Sequence, residues 1–224
     1  MVGLSRAKGL TARDPRIAFE WLVFAVFLEL GLLCLLRPGE LMKLRKQDIA
    51  LPGDFAFGQP QAAIRIEAPK NRRHFGKEQF VILKHPNVIT WLKRIMVGSE
   101  SETLWPSAPS RFAKLFKQTV SDLNLQACRF TPGSLRPGGA TLLYSRGTPI
   151  SVLRFMGRWT AERSLEHYIQ QAMSTQIVNK LSPGTVDNHA QRKATGRGLL
   201  SRVVRGICRT WLLSTGSRSS QVVL

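Results

Sequence analysis

The chain has 224 residues, 43% of them hydrophobic, which suits one domain with a real core and excludes a chain disordered throughout. Thirty-three lysines and arginines face fourteen acidic residues, a formal charge of +19. That excess calls for an anionic partner, nucleic acid ahead of an anionic membrane surface or acidic proteins.

Residues 1–14 are basic and turn-prone and are expected to be a linker, with no signal peptide. A helix is predicted from Asp14, which caps it, and Pro15 at its first position, running to about Leu36. Its stretch "WLVFAVFLELGLLCLL" (21–36) is short for a membrane span and contains Glu29, so it reads as a buried core helix. Pro38 opens a second, short helix in "RPGELMKL". The alternating "AAIRIEA" and the apolar "FVIL" suggest two strands joined by a basic turn.

Helices are predicted at about 86–97 and 109–124, then over Ser134–Arg146, Pro149–Met156 and Ser164–Leu181, each with apolar residues at three- and four-residue spacing. No internal repeat is visible. From residue 183 the text is rich in Gly and Ser, and past Pro183 it holds seven Lys/Arg against one Asp. "LLSRVVRGICRTWLL" within it reads equally as a basic amphipathic helix or as a tail without structure. The expected division is a linker at 1–14, a domain at 15–182 and a basic tail at 183–224. Cys34, Cys128 and Cys208 lack CxxC spacing, so neither a disulfide framework nor a zinc site is suggested and a reducing compartment is expected. His74, His85, His167 and His189 form no metal-spaced cluster.

Taken singly, the conspicuous polar residues are ordinary. Arg37 in "LRPGEL" reads as a surface residue closing a helix, Lys70 as a solvated turn charge, Trp159 as core and Tyr168 as a half-buried helix tyrosine. Arg136, at the helix start of "SLRPGGAT", is the exception. A charge there points to solvent or holds an anion, and a helix N-terminus favours a phosphate.

In order and spacing these residues resemble the catalytic domain of the tyrosine recombinases, the phage-integrase family. "TPGSLRPGGAT…GTPISVLRFMGRW…SLEHYI" is similar to a box of its eukaryotic mobile-element branch, which includes DIRS-type retroelements and cryptons. "GLLCLLRPGELMKLRKQDI" is similar to the family's first box, and the resemblance covers roughly residues 15–180. It implies a mixed α/β, mainly helical catalytic domain, a helical bundle with a small antiparallel sheet. It also implies cleavage and rejoining of double-stranded DNA, as a tetramer on DNA, without cofactor or metal. The location implied is the nucleus in a eukaryote and the cytoplasm otherwise.

The chemistry explains the residue types. A tyrosine hydroxyl is able to form a covalent phosphotyrosine without metal, but ionising it at pH 7 costs about 4 kcal/mol. Positioning and nearby cations offset that cost. Two arginines hold the non-bridging oxygens as bidentate forks, and a lysine donates the proton to the leaving oxygen. By resemblance Arg37 and Arg136 are the clamp and Tyr168 the nucleophile. Lys70 is the acid, with Arg72, Arg73 and Lys77 crowding the same turn. Trp159 fills the position of a histidine or tryptophan that bonds phosphate or packs on the site. Glu40, one helical turn from Arg37, is expected to orient its guanidinium. Arg72, Arg73, Lys77 and Arg158 are expected DNA contacts. His167 neighbours Tyr168 in sequence, but successive helix residues diverge by about 100°, which makes it a poor base for that hydroxyl.

The pattern breaks at Gly133, where the family usually has a histidine, and general-base help of that kind is worth about 10²–10⁴-fold. Pro137 replaces a usual basic residue, harmlessly in a first helical turn. The 14 residues before the predicted first helix are too short for the family's N-terminal DNA-gripping domain. A fragment, a degenerate copy or a catalytic-domain-only relative is therefore expected. The tail does not resemble the family's C-terminal exchange helix. Two alternatives stand beside the recombinase: a DNA-binding remnant that has lost turnover, and a peripheral membrane protein acting through residues 194–213.

Overall fold

The apolar run around Phe24 becomes the axis of the fold in the computed structural model. The structure describes residues 1–54, 60–67, 69, 73, 76, 78–99, 102–160, 163 and 165–169. Helix α2 (Pro15–Leu33) starts where Asp14 accepts the Arg16 N–H at 2.8 Å and Pro15 presets the first turn. From Glu20 to Gly31 nearly every side chain is buried, because other elements surround the helix. Trp21, Phe24, Phe27, Trp105 and Phe112 pack there as edge-on and tilted rings. The helix stops at Leu33, short of Leu36, because Leu35 enters the left-handed region at φ 53°. Among the described residues no helix is long and apolar enough to cross a membrane.

The expected linker at 1–14 is a correction: Val2–Thr11 is a helix, α1, docked along α2. Its buried residues, Val2, Ser5 and Gly9, are small, so it has no apolar stripe to read. A Cβ on Gly9 would lie 2.9 Å from the Leu22 side chain, so the helices meet at close range. Cations complete the contact. Arg6 pairs with Glu29 and lies over the Trp91 ring, and Lys8 pairs with Asp122 and lies over Trp21.

Beyond α3 (Pro38–Leu41), three antiparallel strands follow in the order β1 (Ile49–Ala50), β2 (Ala62–Ile66), β3 (Gln79–Leu83). Ile64 pairs with Ile49 on one side and Val81 on the other. Ala62, Ile64 and Ile66 with Val81 and Leu83 face the core, while Phe80 and Ile82 are exposed. The two expected strands are β2 and β3; β1, with two residues, is too short to carry an alternation.

Helices α4 (Pro86–Gly98), α5 (Pro109–Asp122), α6 (Leu135–Ser145) and α7 (Ile150–Gly157) complete the mainly helical fold. Residues 163 and 165–169 are also helical. The rest of the helix expected over Ser164–Leu181, and the tail at 183–224, lie outside the described residues.

Two close approaches position the site. A Cβ on Gly139 would sit 2.1 Å from the Leu32 carbonyl oxygen, so only glycine lets the start of α6 press on the end of α2. Leu135 fills the space over Gly31 from the same helix start. A small second core forms beside this junction from Leu35, Ala140, Leu153, Trp159, Leu165 and Ile169.

Candidate active site

The turn after α2 delivers Arg37. Leu35 is fully buried in its left-handed conformation, and two residues later Arg37 caps α3. Glu40 folds back on it: its Oε2 accepts the Arg37 backbone N–H and its Oε1 accepts Arg37 Nη1, both at 2.8 Å. This is the carboxylate half of a capping box, since an arginine side chain has nothing to accept with. The Arg37 side chain keeps 26% of its surface exposed, while Glu40 keeps 9%.

Arg158 reaches the same carboxylate from the other end of the domain. It closes α7 in the left-handed region, at φ 54° and ψ 44°. Its Nη2 donates to Glu40 Oε2 at 2.6 Å. Arg158, an expected DNA contact, is only 4% exposed, because a nearly buried carboxylate holds its charge. Its field also reaches the fully buried Cys34, whose thiol burial pushes up to about 12.

Arg136 lies in the first turn of α6, brought beside this group by the Gly139–Leu32 approach. Its Nη2 donates to the Gly157 carbonyl, and its guanidinium carbon sits 4.5 Å from the centre of the Trp159 ring. Trp159 in turn lies on Gly157, where a Cβ would come within 1.7 Å of the ring. Nη1 of Arg136 is buried without a hydrogen-bond partner among the described residues. Burial, and then the like charges of Arg37 and Arg158, push Arg136 down to about 9, against the pull of Glu40 and Tyr168. Two guanidiniums, those of Arg37 and Arg158, thus share one carboxylate, with the Arg136 cation within their electrostatic reach. Such an excess of positive charge suits an anion.

Tyr168 is half-buried against the second core and within electrostatic reach of Arg136. His167 is exposed, its ring 6.2 Å from the Tyr168 ring, as divergent helix neighbours should be. Gly133 is exposed in the single 3-10 turn (Pro132–Ser134) before α6.

The structure therefore brings Arg37, Glu40, Arg136, Arg158, Trp159 and Tyr168 together. Arg73 is exposed. Lys70, Arg72 and Lys77 lie outside the described residues. The Arg158–Glu40 link escaped the sequence. Its one signal is a cation wedged between Gly157 and Trp159 in "GRW", at a turn whose backbone suits glycine.

The model of the phage integrase family matches residues 22–175 of the chain. Among solved structures, the crystal structure of XerA recombinase is similar with a TM-score of 0.53 at 15% identity, over 81% of this chain and 63% of that one. At that identity the likeness speaks for the fold. No curated protein matches the sequence.

Proposed function

The chain belongs to the phage integrase family, and from that premise we propose that it cuts and rejoins DNA strands through a 3′-phosphotyrosyl intermediate on Tyr168. Arg37 and Arg136 grip the non-bridging oxygens of the scissile phosphate, and the unpartnered Nη1 of Arg136 is the observation that carries this assignment. The Tyr168 hydroxyl gives its proton to water as its oxygen attacks phosphorus, and the bond to the 5′ oxygen breaks. Lys70 gives that oxygen its proton, leaving a free 5′ hydroxyl. Attack by a second 5′ hydroxyl reverses the step and releases the tyrosine. Trp159 holds the Arg136 guanidinium over its ring, ready for charge that grows in the transition state. The mobile-element boxes around Arg136 and Trp159 support an origin in element integration or excision, with double-stranded DNA as substrate and further copies of the chain as partners.

The test is a suicide DNA substrate that cannot religate. Wild type should accumulate a covalent adduct and Tyr168→Phe none. Equal trapping by both would remove Tyr168 from the chemistry.

One observation favours a second reading. Gly133 offers no side chain where a histidine is expected, which suits a module that binds DNA and has lost turnover. That module would bind DNA with strong salt dependence and form no adduct.

A further inference from the structure

Arg158 occupies a place that suits glycine. The chain turns through the left-handed region there, which residues with a Cβ adopt rarely and chiefly at functional or strained sites. The same residue buries a long charged side chain, which is kept out of water only when it is paired. Its Nη2 bonds Glu40 Oε2 across 118 residues of sequence.

Glu40 is the hinge of that contact. The oxygen that takes Arg158 also takes the Arg37 backbone N–H, and the other oxygen takes Arg37 Nη1. Arg37 alone contacts both oxygens, and the terminal torsion of the carboxylate is broad, so the added bond from Arg158 narrows it from a second side. Held from both sides, it presents Oε1 to Arg37 in one orientation. Gly157, the neighbour of Arg158, gives its carbonyl to Arg136, and the next residue, Trp159, stacks on Arg136. One turn of chain therefore touches both arginines of the clamp, one through Glu40 and one directly.

We propose that Arg158 is a positioning residue of the phosphate clamp, acting through Glu40 to fix the Arg37 guanidinium relative to Arg136. The consequence for catalysis rests on the function proposed above; the consequence for Arg37 does not. Arg158 is paired and almost out of solvent, which sets it apart from the DNA-contacting role its charge suggests.

The experiment uses the full chain as wild type, Arg158→Gly, Arg158→Lys, Glu40→Gln and the double variant Arg158→Gly/Glu40→Gln. Glycine suits the left-handed backbone, so that variant removes the side chain without straining the turn. The first readout is the nitrogen-15 NMR signature of the Arg37 guanidinium, assigned by its loss in Arg37→Lys. In wild type its Nη signals should be resolved by restricted rotation. In Arg158→Gly they should merge while the backbone spectrum stays native, and Arg158→Lys should restore them in part. The second readout is the rate of adduct formation at saturating DNA. It should fall by up to about 100-fold in Arg158→Gly with DNA affinity unchanged. The double variant should be no slower than the slower single, because both residues act through one link. An unchanged Arg37 signature in natively folded Arg158→Gly, or losses that multiply in the double variant, would overturn the proposal. Should glycine unfold the protein, the Arg158→Lys and Glu40→Gln spectra decide the same question, and an Arg37 signature unmoved in both rejects it. A wild type that forms no adduct sinks the strand-transfer function, while the Arg37 signature still decides the positioning role.

Discussion

Glu29 in α2 and Glu40 in α3 are both nearly out of solvent, yet their surroundings differ in charge. Glu29 meets one guanidinium, that of Arg6, which docks α1 on the core. Glu40 meets two, from Arg37 and Arg158, with Arg136 close enough for the three cations to act on one another. The first arrangement is balanced, one charge for one. The second carries more positive charge than it neutralises among the described residues. A protein gains no stability from crowding buried cations. The excess marks a place shaped for an anion, while the Arg6 pair marks a place where charge serves packing.

The sharpest break of this comparison is one substitution made in both places. Arg136→Met removes a crowded cation and keeps side-chain volume. Stability should stay within about 1 kcal/mol of wild type, while adduct formation should fall by about 10³-fold or more, because a clamp donor is gone. Urea unfolding and the suicide-substrate assay measure the two. A large loss of stability with cleavage intact would reverse the roles assigned to the two regions.

Arg6→Met should do the opposite. Above about pH 7, where Glu29 is ionised, it leaves that carboxylate buried without its partner, and loss of one member of a buried pair costs about 3 kcal/mol, at the low end because Arg6 is partly exposed. DNA cleavage by the folded fraction should not change. The same urea titration decides it, and an unaltered midpoint would mean that α1 contributes little to the fold.

The balanced region also has a pH signature. Burial pushes Glu29 up from its ordinary 4.5 to about 7, against the pull of Arg6. A raised carboxyl holds its proton in the folded state. Its contribution to stability is therefore fully present below pH 4.5 and is lost as pH rises through about 7. The shift corresponds to roughly 3 kcal/mol or slightly more. Glu29→Gln should remove this slope, so that wild type and variant diverge between pH 5 and 8. Parallel stability curves across that range would show that Arg6 holds the carboxylate ionised throughout.

What the sequence disclosed follows from how local each feature is. α2 was legible because Asp14 and Pro15 mark its start and its apolar run is continuous. The Arg37–Glu40 contact was legible because it spans one helical turn. α1 was not, since it docks through Val2, Ser5, Gly9 and two cations, and none of these makes a periodic apolar face. The burial of Arg158 was hidden for a related reason. A lone arginine in sequence defaults to the surface, and the carboxylate that buries it stands 118 residues earlier. Gly139, lacking a Cβ, permits a close approach, but which backbone approaches, that of Leu32, is a tertiary fact.

The smallest predicted effect concerns what the over-charged region lacks. Gly133 stands three residues before Arg136, where a histidine is expected to take the tyrosine proton. The backbone there is open to one: an added Cβ meets only Thr131 Oγ1, at 3.4 Å, and Gly133 is not among the glycines of positive φ. Gly133→His should therefore speed adduct formation about tenfold at pH 8, a part of what a fully positioned base supplies. The gain should fade below about pH 6 as the imidazole takes a proton and ceases to be a base. Rates of adduct formation across that range measure it. A folded Gly133→His protein no faster than wild type at any pH would place the limit elsewhere in the site. The missing histidine would then not be what separates a strand transferase from a module that only binds DNA.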